Sequence, residues 1–290
     1  MMENYIVITP VRDEEDYIRF TLDSVVSQTM KPLEWIIVDD GSRDGTGAIL
    51  DEYSSRYDWI RVVRRADRGC RVPGTGVMEA FYDGYAAVTR SGWDFIVKLD
   101  GDLSFSADYF ENCFSKFREY PDLGICGGDI YNVINGTPVL EPVPRFHVRG
   151  ATKIYRKSCW DQIGGLIKAP GWDTLDEVKA NMLGWSTRSL PELKLLHHRP
   201  TGAAQGSWKD YFKHGRANYI SGYHPVFMLL KCCKRLFQSP HLIGPAGLLA
   251  GFVSGYLQGV PQVADKELIK YLRKQQMKTL TGQRSLWNQA

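Results

Sequence analysis

The chain has 290 residues, of which 43% are hydrophobic and 24% are charged, and its net charge is +3. These values are ordinary for a globular protein, exclude a disordered or collagen-like chain, and allow one large domain or two small ones. The charge is uneven: from Lys194 onward 14 Lys and Arg oppose three acidic residues, which gives +11, whereas the preceding part carries −8.

The six scattered cysteines form no CxxC pair, which predicts free thiols in a reducing cytosol and no zinc site. The N-terminal segment has no basic and apolar leader pattern, so we predict a cytoplasmic protein.

Apolar, β-branched runs alternate with amphipathic stretches of helix length through the first half of the chain. Strands are predicted over Tyr5–Thr9, Trp35–Asp39, Ile60–Arg64 and Phe95–Leu99. Helices are predicted between them over Tyr17–Gln28, Thr46–Tyr57 and Met78–Thr89. This alternation predicts an α/β fold with a mostly parallel central sheet flanked by helices. The loops after Thr9, Asp39 and Leu99 should then share one ligand crevice.

The second half of the chain is less regular. Antiparallel strands are expected around residues 124–160, followed by a helix over Trp172–Leu183 and a short strand over Leu195–His198. From Trp208 onward the pattern is helical.

The segment KLDGDLSF, residues 98–105, is the strongest local feature. An apolar strand delivers Asp100 and Asp102 two residues apart, with Gly101 allowing a tight turn between them. Two carboxylates this close repel each other unless a cation neutralises them. Their oxygen atoms suit Mg²⁺ or Mn²⁺, which bridge substrate phosphates. An ordinary acidic turn after a strand is the alternative that the segment alone leaves open.

The segment VDDGSRDGT, residues 38–46, ends another buried strand with Asp39 and Asp40. Turn residues follow, and Thr46 can begin a helix. A carboxylate at this position can accept hydrogen bonds from a base N–H or a ribose hydroxyl. A loop whose aspartate only caps the helix is the alternative.

Three segments in this order, TPVRDEEDYI, SVVSQTMKPLEWIIVDDGSRDGT and WDFIVKLDGD, resemble family 2 glycosyltransferases with the GT-A fold. The resemblance runs from about Tyr5 to about Gly222, and this chain has Asp13 where the family usually has Asn. It implies a Rossmann-like GT-A domain and an inverting transferase. Such an enzyme moves a sugar from a nucleotide-diphosphate sugar to an acceptor hydroxyl with Mn²⁺ or Mg²⁺, in cell-surface polysaccharide or glycolipid assembly.

The resemblance also implies roles for individual residues. Pro10 and Glu14 should flank the nucleotide, and Asp40 should meet the base. Asp100 and Asp102 should bind the donor diphosphate through the metal.

A general base is required because the acceptor hydroxyl is a poor nucleophile and must lose its proton as it attacks. Family members carry an aspartate eleven residues before a glycine that precedes an aromatic residue. Asp173 stands at that interval before Gly184 and Trp185, although Trp172 replaces the glutamate that usually precedes the aspartate. Asp173 is therefore the predicted base, and Asp176, one turn along the same helix face, is the rival.

Two further segments are candidates for contacts with metal and phosphate. The pair His197-His198 resembles the family's late histidine near the metal, so we predict His198 as the third ligand and His197 as the rival, against a purely structural histidine. The glycine-rich stretch from Arg68 to Gly76 is neither a GxGxxG motif nor a P-loop. The arginines within it, Arg71 above all and Arg68, are predicted to meet the donor phosphates, with a solvent-exposed loop as the alternative.

Two other functions stay open. A sugar-phosphate nucleotidyltransferase normally has a glycine-rich loop after its first strand, where this chain has TPVRDEED. A non-catalytic nucleotide-sugar-binding module would be expected to lose carboxylates that this chain keeps. The Gln-x-x-Arg-Trp segment of processive family members is missing from the sequence, which favours single transfers.

We predict a catalytic domain over residues 1–222, with a nucleotide-sugar half at 1–102 and an acceptor half at 103–222, and a helical, apolar and basic extension over 223–290. Within the extension, Leu236–Val263 contains no Asp, Glu, Lys or Arg. Its glycines at 247, 251, 255 and 259 recur every four residues, the spacing that lets two helices approach closely.

This extension predicts a re-entrant or interfacial hairpin on the cytosolic face of a membrane, with flanking cations on anionic lipid. Packing against the catalytic domain or a second copy is the alternative. The predicted partners are a nucleotide-sugar donor, a glycan or lipid-linked acceptor and membrane lipid. No nucleic-acid motif accompanies the basic charge, and a homo-oligomer stays open.

Overall fold

The computed structural model describes residues 3–69, 75–199, 207–236 and 242–288. The chain forms two compact units. The first comprises Met1–Gly165 and Leu183–Pro200, and the second comprises Leu166–Met182 and Thr201–Ala290. The five cysteines within the described ranges are free thiols.

The first unit contains the sheet. Its strands are β1 (Tyr5–Val11), β2 (Glu34–Asp39), β3 (Ile60–Arg64), β4 (Phe95–Leu99), β5 (Leu103–Phe105), β6 (Leu123–Ile134), β7 (Thr137–Leu140), β8 (Thr152–Arg156) and β9 (Ser186–His197). Its helices are α1 (Ile18–Val26), α2 (Thr46–Arg56), α3 (Thr75–Ala86), α4 (Tyr109–Glu119) and α5 (Lys157–Ile163).

Within the described residues, nine strands form one sheet in the order β3-β2-β1-β4-β8-β6-β9-β5, with β7 paired to β6. β1 to β4 pair in parallel, because α1, α2 and α3 supply the crossovers that parallel strands need. β8 then pairs antiparallel with β4 and β6, and β7 folds back on β6 through Asn135-Gly136, both at positive φ. The predicted parallel half and the antiparallel strands around residues 124–160 are confirmed, and the sheet as a whole is mixed.

The strands β1, β2 and β4 are buried on both faces, which explains their nearly continuous apolar sequences. On one face, Tyr5 and Trp35 belong to a core with residues of α1, α2 and α4. On the other face, α3 lies so close that a Cβ on Gly84 would be 2.8 Å from Ile8 Cγ2. Successive side chains of each strand point to opposite faces of the sheet, so alternate residues pack against the helices on either face.

The second unit is helical in its described part. Its helices are α6 (Trp172–Met182), α7 (Ser207–Ile220), α8 (Pro225–Arg235), α9 (Ile243–Leu257) and α10 (Lys266–Leu280). α7 and α9 are in close contact, since a Cβ on Gly251 would be 1.9 Å from the Phe212 carbonyl oxygen and a Cβ on Gly215 would be 2.0 Å from that of Leu248. The predicted close helix approach is thus confirmed for Gly247, Gly251 and Gly255, whereas Gly259 follows the end of α9 at φ 59°.

The compact units do not coincide with the predicted division at residue 222. α6 packs on α10, with Lys179 Nζ 3.4 Å from Asp265 Oδ2, and α7 packs on α9, so both helices join the C-terminal unit. The functional division at residue 222 stays a prediction. In the described ranges, none of the helices has the length and the apolar run that crossing a bilayer needs.

Candidate active site

Three loops meet at the carboxyl ends of β1, β2 and β4, where the ligand crevice of a parallel sheet is expected. The Asp40 N–H donates to the Val11 carbonyl at 2.9 Å, and the Glu14 N–H donates to Thr46 Oγ1 at 2.8 Å. The third loop lies close to the first, because a Cβ on Gly101 would be 2.7 Å from Val11 Cγ1. The predicted shared crevice is confirmed.

The loop after β1 has a backbone conformation that suits an aspartate at position 13. Asp13 has φ 52°, a left-handed conformation that Asn and Asp adopt more readily than other residues with a side chain. Its Oδ1 accepts the Arg43 N–H at 2.9 Å, and its own N–H donates to Ser42 Oγ at 3.0 Å. Pro10 lies in the same strand, opposite Val38 of β2.

The acidic residues at the end of β2 and in the loop after it have different partners. Asp39 Oδ1 accepts the Ser42 N–H at 2.9 Å, and Asp44 Oδ1 accepts the Thr46 N–H at 3.0 Å. These bonds shape the turn before α2. The N-cap of α2 is Gly45 and has no side-chain cap hydrogen bond, so the alternative of an aspartate that caps this helix is wrong. Asp40 makes no such bond: its Oδ1 is 2.5 Å from Arg65 Nη1 and its Oδ2 is 2.6 Å from Arg68 Nη2.

The arginines around Asp40 form a network that sequence reasoning missed. Arg12 donates to the Asp40 carbonyl oxygen at 2.7 Å and to Asp67 Oδ1 at 2.7 Å. Hydrogen bonds from Arg12, the Gly69 N–H and Arg43 hold the pKa of Asp67 well below its ordinary value. The predicted phosphate contact Arg71 lies outside the described residues.

Asp100 follows β4 and has a buried cation beside it. Lys98 Nζ contacts Asp100 Oδ1 and donates to the Gly150 carbonyl oxygen at 2.5 Å. Burial and the neighbouring Asp102 raise the pKa of Asp100, against the opposing charge of Lys98.

Asp102 is buried, and its two oxygens have different surroundings. Oδ2 is 3.2 Å from His197 Nε2 and 3.8 Å from Arg199 Nε, whereas the buried Oδ1 has no hydrogen-bond partner among the described residues. Burial would raise the pKa of Asp102, but the hydrogen bond and charge of His197 lower it overall. Burial likewise opposes protonation of His197, but Asp102 raises the pKa of His197 overall. The pairing of β5 with β9 produces this contact, because Leu103 lies opposite His197.

The two adjacent histidines have separate partners, as expected for successive residues at a strand end. His197 contacts Asp102 and, through Nδ1, Asn132 Oδ1 at 3.1 Å. His198 Nε2 is 2.8 Å from Ser104 Oγ, and its ring stacks on Phe20 at a centroid distance of 3.9 Å. The geometry therefore favours the rival His197 over His198 as the histidine that acts on Asp102. Across the described ranges, no three His, Cys, Asp or Glu side chains are grouped to hold a metal by themselves.

Arg199 connects the first and third loops and was also missed. Its Nη2 is 2.6 Å from Glu14 Oε2 and donates to the Asp13 carbonyl oxygen at 2.6 Å. Its guanidinium lies 5.5 Å from the Tyr17 ring centroid. No motif marks this arginine, and its partners Asp13 and Glu14 lie more than 180 residues earlier in the chain.

The candidate bases lie on α6 in the second unit. Asp173 is in the first turn of α6 and is half-buried. Asp176 is 1% exposed, and its Oδ1 accepts the Glu177 N–H at 2.7 Å. Exposure thus favours Asp173 as the carboxylate that an acceptor can reach, and the assignment stays a prediction.

The sheet order, the three crevice loops and the carboxylate pair define an α/β protein with a crevice at the carboxyl ends of its parallel strands, where such folds bind ligands. The sequence pattern of Glycosyl transferase family 2 matches residues 6–167, more than half of the chain, and the chain belongs to this family.

Known proteins agree with this assignment. The putative teichuronic acid biosynthesis glycosyltransferase TuaG of Bacillus subtilis is 47% identical over 117 residues, which cover 39% of this chain and 45% of TuaG. The chain spans less than half the length of the curated relatives it matches.

Solved structures show the fold. The mannosyltransferase PcManGT of Pyrobaculum calidifontis, solved with GDP-Man and Mn²⁺, superposes with a TM-score of 0.57 at 15% identity, covering 98% of this chain and 77% of PcManGT. S. aureus TarS 1-349, solved in complex with UDP-GlcNAc, superposes with a TM-score of 0.53 at 18% identity, covering 95% of this chain and 81% of the TarS chain. The predicted GT-A fold is confirmed.

Proposed function

We propose that the chain is a metal-dependent, inverting glycosyltransferase that moves a sugar from a nucleotide-diphosphate sugar to an acceptor hydroxyl. The buried Oδ1 of Asp102 carries the proposal, because it has no hydrogen-bond partner among the described residues and lies in the crevice beside Asp100. A buried carboxylate oxygen is costly without a partner, and a hard divalent cation is a partner that suits it. The neighbours solved with GDP-Man and Mn²⁺ or with UDP-GlcNAc support the choice of ligand.

Asp100 and Asp102 would hold Mn²⁺ or Mg²⁺, which supplies charge neutralisation for the departing nucleotide diphosphate. Donor phosphate oxygens would supply further oxygen ligands. His197 has a supporting role in this arrangement: by donating to Oδ2 of Asp102 it orients the carboxylate and leaves Oδ1 for the cation. Arg199 adds positive charge on the same side of Asp102.

The other residues bind the donor and move the proton. Asp40, held by Arg65 and Arg68, meets the base, while Pro10 and Glu14 flank the nucleotide. Asp173 takes the proton of the acceptor hydroxyl as its oxygen attacks the anomeric carbon. A single displacement of this kind inverts the anomeric configuration.

The acceptor is proposed to be a glycan or a lipid-linked sugar in cell-surface polysaccharide assembly. The similarity to TuaG, whose name places it in teichuronic acid biosynthesis, supports this class.

The test is a panel of UDP-, GDP- and dTDP-sugars, each incubated with the full chain and Mn²⁺ or Mg²⁺, with release of the free nucleotide as the readout. We expect at least one donor to be turned over with metal and none with EDTA. Formation of a nucleotide sugar from a sugar phosphate and a nucleoside triphosphate would instead identify a nucleotidyltransferase. Donor binding without turnover, whatever acceptor is supplied, would identify a binding module.

A further inference from the structure

Helix α9 is apolar around its whole circumference, since Ile243–Leu257 contains no Lys, Arg, Asp or Glu. Such a helix is normally buried in protein or in a membrane. One side of α9 is buried: Gly247, Gly251 and Gly255 pack against α7. The opposite side needs an explanation of its own.

The opposite side of α9 is an exposed apolar stripe. Leu249, Val253 and Leu257 follow one another at intervals of four residues and are all exposed, Leu257 to 83%. Tyr256 lies beside them and is exposed as well. Because residues four apart share a helix face, these side chains form one continuous row.

Helix α8 has the same division. Phe227, Met228 and Cys232 are buried. Val226, Leu229 and Leu230 are exposed, Leu229 to 52%, at the i, i+3 and i+4 spacing of a single face. Lys234 is exposed on the next turn of that face. Two helices of one compact unit thus expose continuous apolar faces. Single exposed apolar residues are common on protein surfaces, but continuous apolar faces mark sites of interaction.

Charge decides between a lipid surface and a second copy. The second unit has 14 Lys and Arg against six Asp and Glu, a net charge of +8. Pairing of these faces between two copies would bring two such units together, and they would repel each other, whereas an anionic lipid surface attracts basic segments. The 15 residues of α9 extend about 22 Å, less than the roughly 30 Å of a hydrocarbon core, so the helix is long enough to lie along a bilayer and too short to cross it.

We propose that the exposed faces of α8 and α9 dock the protein on the surface of an anionic bilayer, with both helices in the plane of the interface. Apolar side chains enter the headgroup region, and the unit's basic residues meet the anionic headgroups. The glycine side of α9 packs against α7, and the side with Leu249, Val253 and Leu257 contacts the membrane. Docking does not depend on the proposed transferase activity.

The experiment is vesicle flotation of the full chain, with vesicles of phosphatidylcholine alone or with 30% phosphatidylglycerol. The test variant is the triple substitution Leu229→Ser, Leu249→Ser and Val253→Ser. Burying one leucine is worth about tenfold or more in partitioning, so the triple variant should lower the bound fraction at limiting lipid at least about tenfold. The unchanged protein should bind the anionic vesicles, and binding should weaken as salt rises.

The matched control is the double substitution Ile134→Ser and Val139→Ser, which changes equally exposed apolar residues of the β6–β7 hairpin in the first unit. It should float like the unchanged protein, and circular dichroism should show that both variants are folded. Failure of the unchanged chain to bind anionic vesicles at low salt would overturn the proposal, as would a triple variant that binds equally well. Concentration-dependent association in sedimentation, lost in the triple variant without lipid binding, would assign the faces to a second copy instead.

Discussion

Replacing Gly251 by alanine tests the close packing of α7 against α9. The new Cβ would lie 1.9 Å from the Phe212 carbonyl oxygen, whereas ordinary contact begins at 3.4 Å. Because the obstacle is backbone, it cannot rotate away, and the helices must separate along a contact that includes Gly215 and Gly255. Overpacking costs about 1–3 kcal/mol, and we expect the upper end. The higher helix propensity of alanine offsets about 1 kcal/mol of this cost, so we expect the free energy of unfolding to fall by about 2 kcal/mol.

The assay is urea unfolding followed by circular dichroism, with Ala246→Gly as the matched control. Ala246 is exposed on the same helix, so its replacement should cost only the propensity difference of about 1 kcal/mol. Propensity alone predicts that Gly251→Ala stabilises and Ala246→Gly destabilises, whereas the packing predicts that Gly251→Ala is the less stable of the two. A Gly251→Ala protein as stable as the unchanged chain would refute the close contact between α7 and α9.

Two further predictions concern the buried carboxylate of Glu34 and the proposed general base Asp173. Burial would raise the pKa of Glu34, but hydrogen bonds from Arg61, Thr89 and the Arg90 N–H lower it overall from 4.5. The ionised carboxylate therefore stabilises the folded protein fully above pH 4.5. This stabilisation is lost as the pH falls through the lowered pKa. Glu34→Gln should therefore lower the free energy of unfolding by about 1–3 kcal/mol at pH 7 and by less in acid, and an equal loss at pH 7 and pH 3 would contradict this. Asp173→Asn should reduce turnover by about 10²–10⁴ with donor binding retained, measured by steady-state kinetics and calorimetry. If Asp176→Asn shows that loss and Asp173→Asn does not, Asp176 is the base.

Much of the first unit could be predicted because its chemistry is local. β1 to β4 are short apolar runs bounded by turn residues, and they begin or end within two residues of their predicted bounds. β9 is twelve residues long, but only its end was predicted, since Pro191 and alternating charge interrupt its pattern. α4 was missed, although Phe110, Phe114 and Phe117 gave its buried face at helical spacing.

The site was predictable for residues that follow a strand in a motif, and less so for their partners. Asp40, Asp100 and Asp102 stand at strand ends, so their meeting in one crevice follows from parallel topology. Lys98 and Arg199 were missed because no sequence motif marks the basic residues that lie beside Asp100 and Asp102. Lys98 is two residues from its carboxylate in the chain, whereas Arg199 is 97 residues from Asp102. The choice between His197 and its neighbour depends on which face of β9 meets β5, which residue types do not determine.

The most direct test of the central claim is metal-dependent turnover of the donor by the unchanged chain and by Asp102→Asn. Asp161→Asn is the matched control, because Asp161 is an exposed aspartate on α5 that pairs with Lys157 outside the crevice. With Mn²⁺, the unchanged chain and Asp161→Asn should release nucleotide at similar rates, and EDTA should stop both. Asp102→Asn should be slower by at least about a hundredfold, and circular dichroism should show that it is folded. Full turnover in Asp102→Asn, or turnover that survives EDTA in the unchanged chain, would contradict the metal-dependent mechanism.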